Sequence, residues 1–260
     1  MYLDKTLIKQ SFAAASATYD SVAGLQRAVG KELLRGIDAA TLTGTLVDLG
    51  CGTGFLSGEL LACSNPEILI ALDIARPMLR ATQARLAGKR DILYVCADAE
   101  YLPFAGQSMD GVFSNLALQW CINLDAVFSG IKRTLKPGGQ LVFSTFGPQT
   151  LRELKSAWAE VDHYSHVNEF YSPMQLQQFL QQAGFKNIRL ESTLYSPRHA
   201  SVWTLMHELK HLGAHHVITG RNKKLTTRTA MRQMIAAYEK HRINDLIPAT
   251  FDVISVIAEA

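Results

Sequence analysis

Residues 46–54 read L-V-D-L-G-C-G-T-G. A short apolar run delivers Asp48 to a turn with glycine at positions 50, 52 and 54, and a helical pattern follows from Phe55. Strand, glycine turn and helix in that order bring backbone close to a ligand at a helix N-terminus. The spacing is G-x-G-x-G rather than the G-x-G-x-x-G of dinucleotide sites. A carboxylate ahead of the glycines would repel a pyrophosphate, whereas it suits a ligand that carries positive charge. Three further polar groups, Asp73, Asp98 and Asn115, close the next three apolar runs. Asp73 follows the last glycine by about the interval at which a carboxylate meets ribose hydroxyls in nucleotide folds. Any one of these is an ordinary loop residue, because loops favour Asp. Together with the glycine turn they point to a cationic nucleotide ligand. Cys51, inside the turn, reads as a small packing residue, since nothing nearby would lower its pKa.

The elements that must position these groups alternate along the chain. Two helices, 4–18 and 21–37, precede the first strand. Strands are expected at 45–49, 68–72, 92–96, 111–114 and 140–146, the last entered through a sharp Lys136-Pro137-Gly138-Gly139 turn. Pro77 falls just inside the helix after the second strand, a favoured place for proline, and 124–135 is a further helix. A helix closed by Gly184 leads to strands at 187–195 and 250–257, with a helical insertion over 198–241 between them. Such β-α alternation with nearly continuous apolar strands predicts a doubly wound α/β fold, a mostly parallel seven-stranded sheet covered on both faces. Open sheets of this kind bind ligands beyond the carboxyl ends of their strands, where Asp48, Asp73, Asp98 and Asn115 fall.

Composition excludes several classes. At 260 residues, 48% hydrophobic and 19% charged, the chain reads as one globular domain. A net charge of +3 is too mild to imply nucleic acid. No apolar run approaches the ~18 residues of a membrane span, and the N-terminus lacks the apolar core of a signal peptide. Cys51, Cys63, Cys96 and Cys121 form no C-x-x-C pair and read as thiols of a reducing cytoplasm.

The stretch 46–54 resembles motif I of class I methyltransferases, whose ligand S-adenosylmethionine carries an ammonium and a sulfonium. The resemblance implies that Asp48 lies near the methionine amino group and that Asp98 accepts from the adenine amine, with the Ala99 backbone beside it. Ile74 and Met78 would pack against adenine, and Gly50, Cys51, Gly52 and Asn115 would complete the cofactor site. Outside this core, Lys9-Gln10-Ser11-Phe12, Ala13-Ala14, Tyr19-Asp20 and Leu25-Gln26 resemble the opening of the malonyl-acyl-carrier-protein O-methyltransferases of biotin synthesis. Residues 114–120 (S-N-L-A-L-Q-W), 209–215 (L-K-H-L-G-A-H) and 248–253 (P-A-T-F-D-V) are similar to three further motifs of that family. Two departures occur: His216 where the family usually has Asn, and a V-I-A-E-A ending where G-H-A-W is common.

The resemblance implies a single methyltransferase domain over 1–260. It divides into an N-terminal helical cap (1–40), a cofactor-binding core (41–147) and a helical lid insertion (198–245) that binds substrate and carrier. It implies methyl transfer to the free carboxyl of malonyl-acyl carrier protein, with no metal. A carboxylate is already ionised at neutral pH, so no triad or general base is expected. Tyr19, Lys210 and His215 are the catalytic candidates. Arg27, Arg198, Arg221, Lys223 and Lys224 are the candidates for contact with substrate or with an acidic carrier. From 198 to 232 the chain holds seven Lys or Arg against one acid, Glu208, and a rim of Arg27, Lys31 and Arg35 would add to the encounter. Val202, Leu205, Met206, Leu209 and Leu212 form an apolar stripe that should seat the first insertion helix.

His207-Glu208-Leu209-Lys210-His211 matches H-E-x-x-H. Its place in the insertion, the absence of the G-x-x-H extension at the right spacing and the lack of an obvious third ligand weigh against a zinc site. Two other functions use the same core: methylation of a small carboxylic acid, and cofactor binding without catalysis.

Overall fold

The computed structural model describes residues 2–38, 42–213, 218–219 and 226–260. Its centre is a seven-stranded sheet. The strands are β1 (Thr45–Leu49), β2 (Ile68–Asp73), β3 (Ile92–Cys96), β4 (Met109–Asn115), β5 (Leu135–Phe146), β6 (Lys186–Tyr195) and β7 (Phe251–Glu259). They lie in the order β3-β2-β1-β4-β5-β7-β6. The first five pair in parallel, and β7 runs antiparallel between β5 and β6. The order reverses at β1, between β2 and β4, and that switch point is where an open sheet leaves a crevice for ligand.

Local chemistry explains the helices that cover the sheet. They are α1 (Lys5–Ala15), α2 (Tyr19–Val22), α3 (Gly24–Arg35), α4 (Phe55–Cys63), α5 (Arg76–Arg85), α6 (Leu124–Thr134), α7 (Arg152–Ala159), α8 (Pro173–Gln182), α9 (Val202–His211) and α10 (Arg228–Glu239). Asp4 accepts from the Thr6 and Leu7 amides to start α1, and Asn123 accepts from the Ala126 amide to start α6. Ser172 and Gln175 form a reciprocal capping box at α8. The main core lies between the sheet and α6 and α8, with Phe128, Ile131, Leu141, Phe143 and Leu180 all fully buried. Each such side chain contributes about 1.5–3 kcal/mol relative to exposure.

Three features differ from the sequence expectation. The 136–139 segment is not a turn outside the sheet. Leu135 pairs with Met109 and Gln140 with Gly111, so the extra residues loop out within β5 at a register shift. Helix α7 was not expected; its buried Leu154, Ala157 and Trp158 pack with Met234 and Tyr238 of α10 and Phe251 of β7. The insertion is not purely helical. Residues Arg198–His199 pair with Ile247–Pro248, and the backbone of Ile218–Thr219 pairs with Tyr2–Leu3, which joins insertion to N-terminus. The expected stripe on α9 is present: Val202 and Leu205 are buried, with Met206 and Leu209 packed beside them. Among the described residues no helix is long and apolar enough to cross a membrane.

Candidate active site

The glycine turn follows β1 directly. Gly50 adopts φ +76°, and a Cβ there would lie 2.4 Å from the Ala117 Cβ. Gly52 adopts φ +55°, and its missing Cβ faces space with no atom of the described residues within 4 Å. The first glycine is required by the protein, whereas the second leaves room for a ligand. The turn is braced from α5 by the buried Thr82 hydroxyl, which donates to the Gly52 carbonyl at 2.8 Å.

Asp73, at the end of β2, accepts from the Gly52 amide at 3.0 Å and from the Ala75 amide at 2.7 Å. Burial raises its carboxyl to about 6 despite these bonds. Asp48, inside β1, is more confined. Ser57 Oγ donates to its Oδ2 at 2.5 Å, and its Oδ1 is buried without a partner among the described residues. Burial, opposed by the Ser57 hydrogen bond and reinforced by the negative Asp73, pushes the Asp48 carboxyl up to about 7.

Two cavity lobes meet here and share Tyr19, Gly50, Gly52 and Asn115. The larger lobe is lined by Asp73, Ile74, Met78, Asp98 and Ala99, so the expected adenine-side residues come together. Phe12 and Trp120, in edge-to-face contact at 5.4 Å, line it as well. The smaller lobe is lined by Asp48, Cys51, Thr53, Gln26 and Arg27. Gln26 Oε1, like Asp48 Oδ1, is buried with no partner among the described residues. Burial raises the Cys51 thiol well above its ordinary value, as expected for a packing residue.

The N-terminal helices roof both lobes and are fastened at three points. Lys5 Nζ binds Asp98 Oδ2 and, at 2.9 Å, Glu100 Oε2. Burial opposes the charge on Lys5, but these two acids more than compensate and raise its pKa. Asp20 accepts from Thr53 Oγ1 at 2.8 Å and from Arg85 Nη2 at 2.5 Å, and Arg85 also donates to the Thr53 carbonyl. Asn115 Nδ2 donates to the Gln26 carbonyl at 2.8 Å, while its Oδ1 accepts from Ser144 Oγ. Asn115 therefore lines the cavity but acts first as a strut between β4, β5 and α3. Tyr19 is part of this roof and lines both lobes, its phenol raised by burial and then by the charges of Asp73 and Asp20.

The remaining candidates are dispersed. Arg27 lines the smaller lobe and donates to the Asp20 carbonyl at 2.7 Å, so it belongs to the cavity rather than an outer rim. Arg35 pairs with Glu32. Arg198 and Lys210 are exposed and do not line either lobe. His215, Arg221, Lys223 and Lys224 lie outside the described residues. In the H-E-x-x-H run, the His207 and His211 rings contact each other, with centroids 3.9 Å apart, and Glu208 turns to His199 Nδ1 at 3.5 Å. Among the described residues no group of three or more His, Cys, Asp or Glu could hold a metal ion. Sequence reading missed Lys5, Thr82, Arg85 and Trp120 as parts of the site. Thr82 had a signal, because it shares the buried face of α5 with Met78 and Leu79; Lys5 had none.

A family model described as a methyltransferase domain matches residues 47–143. Solved structures share the architecture: YcgJ of Bacillus subtilis, 15% identical with a TM-score of 0.63 over 89% of this chain and 97% of that one, and the [4+2]-cyclase SpnF, 19% identical with a TM-score of 0.65 over 100% and 98%. The fold, strand order and acid-glycine turn are those of a class I S-adenosylmethionine-dependent methyltransferase. SpnF shows that the fold alone does not set the chemistry. Sequence relatives are more specific. The malonyl-[acyl-carrier protein] O-methyltransferase of Methylococcus capsulatus is 41% identical over 98% of this chain and 94% of that protein. The biotin biosynthesis bifunctional protein BioHC of Cellvibrio japonicus is 45% identical over 96% of this chain, which spans about half (49%) of that longer protein. The chain belongs to the malonyl-[acyl-carrier protein] O-methyltransferase family.

Proposed function

We propose that this protein transfers a methyl group from S-adenosylmethionine to the free carboxyl of a malonyl group carried on acyl carrier protein, forming the methyl ester that starts pimeloyl synthesis for biotin. The observation that carries the reading is identity of 41% along nearly the full length of a protein named for this reaction. The cavity supports the donor: Asp48 and Gln26 of its smaller lobe keep buried acceptors with no partner among the described residues, and Gly52, in the same lobe, leaves open space.

The bound donor supplies a methyl group already activated by a positive sulfur. The residues provide position and charge. Asp48 Oδ1 would receive the methionine ammonium, which removes the penalty of its burial. Asp73 would face the ribose, its carboxylate pinned by two backbone amides. Asp98 would face the adenine amine beside the Ala99 backbone, since an ionised carboxylate keeps acceptor sites beyond those used by Lys5 and the Glu100 amide. Ile74 and the fully buried Met78 would pack against the base.

A malonyl carboxyl is ionised at neutral pH and needs no base, so alignment of its oxygen with the methyl carbon carries the rate. Tyr19 suits that task. Its raised pKa keeps the phenol protonated, so its hydroxyl is a neutral donor at the junction of the two lobes. Carrier docking falls to the basic insertion, whose excess of Lys and Arg over 198–232 complements an acidic partner. Arg198, Lys210, Arg228 and Arg232 are the exposed, described members of that set; Arg221, Lys223 and Lys224 complete it in sequence, with His215 beside them.

The test is incubation with S-adenosylmethionine and, separately, malonyl carrier protein, malonyl-CoA and free malonate, with products weighed by mass spectrometry. One methyl added to the malonyl carrier protein is expected. A gain on free malonate alone would point to a small-acid methyltransferase, and no gain on any acid to a binding protein.

A further inference from the structure

Two residues that line the smaller lobe each keep a buried acceptor with no partner among the described residues, and they come from different elements: Asp48, with its Oδ1, from β1 and Gln26, with its Oε1, from α3. A buried acceptor left without a donor costs about 1–3 kcal/mol, so a fold that retains two in one lobe is completed by a ligand that donates to both. A carboxylate and an amide carbonyl oxygen from two residues of one lobe are both satisfied by a group with several N–H donors and no lone pair to repel them. An ammonium meets that demand, while a hydroxyl or carboxylate does not.

Gln26 does not reach this place by chance of rotamer alone. Its main-chain carbonyl accepts from Asn115 Nδ2 at 2.8 Å, and Asn115 is in turn held by Ser144 from the neighbouring strand. One turn further along α3, Gly30 approaches the same amide nitrogen so closely that an added Cβ would lie 3.0 Å from the Asn115 Nδ2. The start of α3 is thus pinned to the strand ends, and its side chain projects from the roof toward the glycine turn.

We propose that Gln26 is a cofactor-binding residue. Its side-chain oxygen is the second acceptor for the α-ammonium of the methionine moiety, opposite Asp48, and makes the smaller lobe selective for the amino-acid end of the cofactor. This rests on the cofactor reading above and extends it to a residue of the N-terminal cap. The cap then does more than cover the site, because it supplies one side of the ammonium cage. Asn115 is the positioning residue that holds Gln26 in place.

The test measures binding by isothermal titration calorimetry, with S-adenosylhomocysteine and with its deamino analogue, which keeps adenosine, sulfur and carboxylate and lacks only the amine. Gln26→Leu is expected to weaken S-adenosylhomocysteine by roughly tenfold, in line with loss of one hydrogen bond to a charged group, and to leave the deamino analogue within about twofold. Equal losses for both ligands, or no loss for either, would overturn the proposal. Should Gln26→Leu fail to fold, Gln26→Glu keeps the shape and adds charge. At pH 8 it should hold or tighten S-adenosylhomocysteine and weaken the deamino analogue; the reverse order refutes the assignment. No methyl acceptor enters either arm, so an error in the malonyl assignment leaves this result unchanged. A wild-type protein that binds no S-adenosylhomocysteine would overturn the cofactor reading and this one together.

Discussion

The burial of Asp48 sets stability against binding, and Asp48→Asn separates the two. In the ligand-free protein the carboxyl sits at about 7, raised from 3.8 chiefly by burial. Between those values the folded protein holds a proton that the unfolded chain has lost. Stability therefore falls as pH rises through that window. The full gap corresponds to about 4 kcal/mol above pH 8 and to roughly 2 kcal/mol at pH 5, where only the unfolded chain is ionised. Asn keeps the shape and can still accept from Ser57, but has no charge to bury. The ligand-free variant should thus be more stable than the parent at pH 8.5 by up to about 4 kcal/mol, a rise in melting temperature of roughly 8–16 °C for a chain of this size. The advantage should shrink toward pH 5. Binding should move the other way: loss of a charged acceptor for the ammonium costs about 1.5–3 kcal/mol, or roughly tenfold to a hundredfold in S-adenosylhomocysteine affinity. Melting curves from pH 5 to 8.5, with and without S-adenosylhomocysteine, read both effects. A variant less stable than the parent at pH 8.5, or one that binds with unchanged affinity, would refute the reasoning.

Other outcomes follow from the same geometry. Tyr19→Phe should preserve S-adenosylhomocysteine affinity and lower kcat by about a hundredfold, the usual cost of removing one aimed donor; unchanged turnover would remove the hydroxyl from the reaction. Gly52→Ala should lower stability by only about 1–2 kcal/mol for its left-handed backbone yet abolish measurable cofactor binding, because its Cβ enters the cavity; Gly50→Ala should cost more stability, since its Cβ meets Ala117. Comparison of the two by melting and by calorimetry checks the distinction. Charge reversal at Arg221, Lys223 and Lys224 should raise KM for carrier-bound malonyl with little change for malonyl-CoA, and equal effects on both would argue against carrier docking there.

Much of the framework was legible in the sequence because it rests on local rules. The apolar runs at 45–49 and 92–96 are strands with the bounds expected, and the strand-glycine turn-helix unit at 46–63 appears as read. Helix α7 is not legible locally because it is short, and its buried apolar residues Leu154, Ala157 and Trp158 join a cluster with residues distant in sequence, among them Val202 and Leu205 of α9, Met234 and Tyr238 of α10 and Phe251 of β7. The 136–139 segment has the composition of a turn; its place inside β5 depends on pairing with β4, which no local pattern encodes.

The sequence by itself determined that acids and glycines stand at the ends of consecutive strands, and hence that a cationic nucleotide is the ligand class. Residue types and their spacing suffice for that, since strand ends of a parallel sheet converge on one edge. Tertiary structure decided how each of these groups is held at the cavity. Asp73 is pinned by backbone amides, Asp98 is shared with Lys5, and Asn115 is taken up as a strut, while Asp48 and Gln26 each keep a buried oxygen with no partner among the described residues. Those distinctions come from contacts between residues distant along the chain. Hydrogen-bond satisfaction in a buried site is a property of the packed whole, so it becomes visible only once the walls of the cavity are assembled.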